Sequence, residues 1–225
     1  MGVKNYGKTG IRIEGEFICG EANGFCSKLF RNGDVYVGYL KNGCMHNYGE
    51  YTWSSGDKYM GTWFDDQMEG IGTKVLSIET INSQKQQGIT EIIVNFDGNF
   101  HKNLFSEFGI ATYENGSTYT GNWERGERHG WGKLSTNENG LVYHGHFIRG
   151  SYHGRGTLKK VIEDNDDVIL DENSFQVTSI IQNYGGEYNG EFKNGKANGV
   201  GVFTLGSRKI KGFFINDRLD RPLGE

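Results

Sequence analysis

The side chains best equipped for chemistry are histidines, cysteines, an acidic run and a cluster of glycines, and each can be tested against the chemistry it would serve. His144 and His146 lie two residues apart, which places both on one side of a strand, and His129 and His153 each precede a glycine one residue on. A zinc site needs three or four converging ligands, and these pairs bring no third, so solvent-facing roles are expected and no metal site. The acidic stretch from Glu163 to Glu172 lacks the glycine and the ligand spacing of a calcium loop. Cys19, Cys26 and Cys44 are odd in number and form no CxxC pair, which fits reduced thiols in an intracellular setting. Gly130-Trp131-Gly132, within "YTGNWERGERHGWGKL" at 119–134, resembles the start of a phosphate loop. No third glycine follows at the right place and no helix start is at hand to hold a phosphate. With no nucleophile elbow either, no catalytic residues and no cofactor are expected, and the chain reads as a non-enzyme.

Composition narrows the class further. The 225 residues include 36 glycines and one proline, with 35% apolar and 13% aromatic residues, so aliphatic material for a thick core is scarce while rings are plentiful. A net charge of −4 gives no general reason to bind nucleic acid. No apolar run approaches a membrane span, and the N-terminus lacks the apolar run of a signal peptide.

The glycines are explained by an internal repeat. Ile13, Tyr36, Tyr59, Phe96, Tyr119, Tyr143, Tyr188 and Ile210 are each followed two residues later by glycine, from Gly15 to Gly212. Two further on stand Phe17, Leu40, Trp63, Phe100, Trp123, Phe147, Phe192 and Phe214. Five of the seven start-to-start spacings are 22 to 24 residues, and the other two contain insertions. Residues stepping by two share one face of a strand, and a glycine between two large residues leaves a hole that a ring from a neighbouring strand can cover. Three residues past the second ring come Gly20, Gly43, Asp66, Asn103, Gly126, Gly150, Gly195 and Asp217, the types most tolerant of positive φ, which predicts a hairpin turn. A Gly-x-Gly such as Gly130 and Gly132 then opens the return strand, and a second turn signal follows, as in "RNGD" at 31–34 and "ENGS" at 114–117. Each unit reads as two antiparallel strands and two turns.

The pattern Y-x-G-x-[WF]-x-x-G-x-x-x-G-x-G at this period resembles the MORN (membrane occupation and recognition nexus) repeat family. The resemblance implies an all-β fold, a single-layer twisted antiparallel sheet of about eight tandem hairpins growing into an elongated rod or trough. One array is expected over 1–225, with repeats starting near 13, 36, 59, 96, 119, 143, 188 and 210. The first and last repeats depart from the pattern, with Cys26 for a glycine and with Asp217, Arg221 and Leu223. Insertions at 73–94 and 157–186 carry β-branched runs around a polar centre and read as lengthened hairpins that set partner choice.

The rings have two readings, as cover for glycines within the sheet or as a strip that an unlayered sheet leaves open to a partner. On the second, Tyr36, Trp63, Phe100, Trp123, Tyr143, Phe147, Tyr188 and Phe192 form a partner-binding face for a peptide, a helix or another copy. What the resemblance implies is a non-catalytic scaffold or adaptor joining proteins in a cytoskeletal assembly, with a ciliary or axonemal place in the cytoplasm, and self-association through the terminal repeats. The alternative is a peripheral membrane module binding phosphoinositides through Lys41, Arg125, Arg128, Arg149, Arg155, Lys193 and Lys196 at the turns.

Overall fold

The computed structural model describes residues 1–160 and 176–223, which form two compact units, 1–114 and 115–225. In the first, β1 (Gly2–Tyr6), β2 (Ile11–Ile18), β3 (Glu21–Leu29), β4 (Val35–Lys41), β5 (Cys44–Thr52), β6 (Lys58–Phe64) and β7 (Gln67–Val75) follow one another. They lead through α1 (Ile78–Gln86) to β8 (Ile93–His101) and β9 (Leu104–Tyr113). In the second, β10 (Thr118–Glu124), β11 (Glu127–Ser135), β12 (Leu141–Ile148) and β13 (Ser151–Lys160) precede α2 (Val177–Tyr184). After it come β14 (Gly186–Lys193), β15 (Lys196–Leu205), β16 (Arg208–Ile215) and β17 (Arg218–Pro222). Within each unit every strand pairs antiparallel with its neighbour in sequence, so the fold is all-β and each sheet is one layer of hairpins.

The turn column behaves as its residue types demand. Gly20, Gly43, Asp66, Asn103, Gly126, Gly150, Gly195 and Asp217 all have φ between +63° and +84°. The residue before each also lies in the left-handed region, as at Arg125 (φ 52°) and Asn194 (φ 51°), so the turns are two-residue hairpin loops of the primed kind. Such loops follow the right-handed twist of the strands they join. At Gly130 the reading needs correction, because the return strand β11 has already begun at Glu127. Gly130 (φ 60°) sits where the ladder shifts register between Gly121 and Trp123, and a bulge of this kind bends and twists a strand.

The paired glycines explain how the rings pack. Gly121 lies opposite Gly132, and a Cβ on Gly121 would stand 2.5 Å from the Gly132 Cα. Tyr119 lies across both, so one ring covers the glycine of its own strand and that of the next, and its hydroxyl donates to the Asn122 carbonyl at 2.9 Å. Tyr36, Tyr59 and Tyr143 repeat the same bond to the carbonyl three residues on, each at 2.9 Å. In the first repeat the column holds Ile13, no ring lies flat, and Cys26 takes the place of the second glycine opposite Gly15. Here the departure from the pattern fills its own space.

Side-chain carboxylates and one amide tie successive hairpins together at both ends. Asp34 is 5% exposed, and its carboxylate accepts from the Ser54 N–H at 2.8 Å and the Tyr51 hydroxyl at 2.6 Å. Asp57 does the same to Ser77 N–H (2.7 Å) and the Thr80 hydroxyl (3.0 Å). At the other end Asp66, Asn103 and Asp217 accept from the N–H of Met45, Met68 and Ala197 at 2.7 to 2.8 Å.

Both insertions correct the expectation of lengthened hairpins, since each contains a helix. Ser77 caps α1 by accepting from the Thr80 N–H, and Gly88 (φ 78°) ends it. The Gly88 N–H donates to Lys85 and the Ile89 N–H to Gln84, satisfying the last carbonyls. In α2 the β-branched residues Val177 and Ile181 are one helical turn apart and both fully buried, over β13, β14 and β15. Local caps and a four-residue apolar spacing outweigh β propensity, which depends on context. Of the second insertion, 161–175, including the acidic stretch, lies outside the described residues.

Candidate functional site

The eight rings expected to face a partner are buried. Tyr36, Tyr143, Phe147 and Tyr188 have no exposed surface, and Trp63, Phe100, Trp123 and Phe192 keep 5% or less. Four of the flat tyrosines meet the ring four residues on edge-to-face, Tyr59–Trp63 at 5.0 Å, Tyr119–Trp123 at 5.1 Å, Tyr143–Phe147 at 5.0 Å and Tyr188–Phe192 at 5.1 Å, while Tyr36 is followed there by Leu40. The second ring of the next repeat closes on the same tyrosine from the other side, as in Tyr59–Phe100 at 5.0 Å and Tyr143–Phe192 at 5.1 Å. The result in each unit is a continuous herringbone, an arrangement that adds roughly 0.5–1.5 kcal/mol per pair beyond area burial. Burial pushes the Tyr36, Tyr59, Tyr143 and Tyr188 phenols above their ordinary range, so they stay neutral donors. Rings without accessible surface are core, and the strip offers no face to a partner in this conformation.

The exposed apolar residues of the first unit lie on the opposite side of the sheet, at the positions between the patterned ones. Phe25, Tyr48, Ile71 and Phe108, each the middle residue of the stretch that becomes Gly-x-Gly, are 50%, 53%, 68% and 52% exposed. They stand on alternate strands, so they recur about every 10 Å. Phe25 lies opposite Tyr39, the two rings 5.6 Å apart edge-to-face. Val37 and Met60, both exposed, form a second row on either side of Glu50. Carboxylates border this surface, with Glu50 paired to Lys58 at 3.3 Å and Asp97 accepting from Thr73 at 3.3 Å. The period was visible in the sequence; the signal overlooked was that the variable positions on the other face are apolar in the first four repeats.

In the second unit the same middle positions hold Trp131, Arg155 and Val200, and polar residues flank the first of them: Trp131 stands out of β11 between His144 and His146, at 6.2 Å and 6.1 Å. Among the described residues no group of three or more His, Cys, Asp or Glu is placed to hold a metal ion. Of the basic residues expected along one edge, Lys41, Arg125, Arg149, Lys193 and Lys196 are at or beside the two-residue turns. Arg128 instead donates to the Gly150 carbonyl at 3.2 Å, and Arg155 lies mid-strand in β13. Among the described residues no helix is long and apolar enough to cross a membrane.

The chain was compared with known proteins. A search of curated proteins gives no match. A family model described as MORN repeat matches seven segments, residues 14–35, 36–58, 59–77, 96–118, 119–137, 143–161 and 188–208. The eighth register, from Ile210, is not among these, although β16 and β17 build a hairpin there with the same turn at Asn216 and Asp217. With the repeat matched over well over half of its residues, the chain belongs to the MORN-repeat family.

Proposed function

We propose that this chain is a non-catalytic scaffold that docks another protein on the outer face of its first unit, as part of a cytoskeletal assembly in the cytoplasm. MORN repeats are modules for protein–protein or membrane-lipid interaction, and the exposed row of Phe25, Tyr39, Tyr48, Ile71 and Phe108 supports the first of these. Apolar side chains spaced along a pleated sheet are a preorganised surface on which a partner loses little freedom. The ciliary or axonemal setting is carried from the family resemblance, and self-association through the terminal repeats from the open edges of the terminal strands.

The test replaces Tyr39, Tyr48 and Ile71 with serine in the tagged full-length chain. Retention in the detergent-insoluble cytoskeletal fraction of its source cell should fall at least tenfold, while the melting temperature stays within a few degrees because the side chains are exposed. Undiminished retention of a folded variant would remove this surface from the reading. A second reading, a peripheral module on anionic lipid, is favoured by the basic turns of the second unit. Salt-sensitive co-sedimentation with phosphoinositide vesicles would support that reading instead.

A further inference from the structure

The two units differ in charge in a way the repeat does not require. The first carries 10 Lys and Arg against 14 Asp and Glu, a net −4. The second carries 14 Lys and Arg against 14 Asp and Glu, a net charge of zero, with six of its acids in the sequence stretch 163–172. Basic side chains are nevertheless gathered on one edge, at the two-residue turns that join β10 to β11, β12 to β13, β14 to β15 and β16 to β17. Arg125, Arg149, the facing pair Lys193 and Lys196, and Arg218 place at least one basic group on each of these four hairpins. None has a carboxylate within ion-pair distance among the described residues.

Turn chemistry does not account for these residues. Arg125 (φ 52°) and Arg149 (φ 47°) occupy left-handed positions where asparagine or glycine is at ease; Cys19, Asn42, Asp65 and Lys102 fill the equivalent places in the first unit. An arginine there is unfavourable for the turn, so its value lies in the side chain. Between the turns the surface is grooved. One hollow of about 460 Å³ is lined by Arg125 and Arg149, by Glu124 and Glu127, and by His129, Ile148 and Ser151, with Glu124 paired to His129 at 3.3 Å. Another of about 640 Å³ is lined by Lys193, Lys196, Asn198, Phe213 and Ile215, and Asn194 borders both.

We propose that this turn edge is a docking groove for an acidic, extended polypeptide segment, independent of the apolar face of the first unit. The pitch favours it. Successive hairpins are two strands, about 10 Å, apart, and an extended chain advances about 3.3 Å per residue, so every third residue meets the next hairpin. Carboxylates at that interval fall to Arg125, Arg149, Lys193 or Lys196, and Arg218. Apolar side chains beside them settle on Ile148 and Ile215, which are 37% and 44% exposed. Asn194 and Asn198 are placed to hydrogen-bond the peptide backbone. A flat anionic bilayer would reach only the tips of the turns and leave the hollows between them unfilled.

The experiment uses the full chain and a fluorescein-labelled 12-residue peptide with glutamate at every third position and leucine beside each. Fluorescence anisotropy at about 50 mM salt should show binding, weakened at least tenfold in Arg125→Asn/Arg149→Asn/Lys193→Ser and several-fold in Ile148→Ser/Ile215→Ser. Asparagine suits both turn positions, so the first variant keeps its fold, as its melting curve will show. Removing basic groups from the first unit's turns (Lys41→Ser/Lys102→Ser) should leave binding unchanged. Equal weakening there would reduce the effect to net charge and overturn the groove. So would an absence of peptide binding, or indifference to Ile148 and Ile215 coupled with tight binding to phosphatidylserine vesicles, which would assign the edge to lipid.

Discussion

At the scale of the residue, the sequence was most legible where one side-chain type satisfies one backbone demand. Eight turn positions occupied only by Gly, Asn and Asp could be placed at positive φ without coordinates, and all eight are there. The glycine pairs were half legible: the hole was foreseen, but Gly121 and Gly132 lying opposite one another under a single ring depends on register. Gly132→Ala should therefore cost about 2–3 kcal/mol, because a Cβ there enters the Tyr119 ring and the ring has nowhere to go; urea unfolding measures it. Asp34 went unnoticed because its role is to reach the next turn. Although burial raises its pKa, hydrogen bonds from Tyr51 and Ser54 outweigh that and hold the carboxyl below the usual range. The unfolded chain therefore takes up the proton first as pH falls, and the stabilisation from Asp34, full above the ordinary aspartate pKa, is lost as pH drops through the folded one. Asp34→Asn should destabilise by about 1–3 kcal/mol at neutral pH, with the difference narrowing in acid below about pH 4. A gap that stays constant down to pH 2 would show that charge plays no part.

At the scale of the element, the insertions show where local pattern misleads. "VLSIETINSQKQQG" is rich in β-branched residues, yet it carries a serine cap, an acidic first turn, a basic last turn and a terminal glycine, all of which α1 uses. The stop at Gly88 and the cap at Ser77 outrank the apolar count. The two helices are also unlike in attachment. None of the α1 residues is buried and Ile78 is 73% exposed, whereas Val177 and Ile181 of α2 are sealed against the sheet. Ile181→Ala should accordingly cost about 2–5 kcal/mol, while Ile78→Ala should stay within about 0.5 kcal/mol. Thermal unfolding of the two variants side by side separates them. A similar loss at Ile78 would mean that α1 also holds its unit together.

At the scale of the whole molecule, averaging concealed two features. A net charge of −4 gives no general reason to bind an anionic partner, yet it averages over the local row of Arg125, Arg149, Lys193, Lys196 and Arg218 at the turns of the second unit. The ring stripe seemed exposed because a single layer has no second layer to cover it. In fact bulges between each tyrosine and its partner ring, and contacts from the following repeat, let the layer bury its own face, which no single repeat displays. That arrangement governs stability as well. Within each unit a strand pairs only with its sequence neighbours, and a ring column touches only the adjoining repeats, so stability accumulates from nearest-neighbour terms. The terminal strands each lack one neighbour. β1 has no ring of the column, and β17 is a five-residue strand ending at Pro222, which donates no hydrogen bond. Native-state hydrogen exchange should therefore release the amides of β1 and β17 at least about a hundredfold faster than those of β5 and β13, because terminal openings need not disturb the interior. Uniform protection across a unit would instead mean that the herringbone opens all at once, and the nearest-neighbour account would fail.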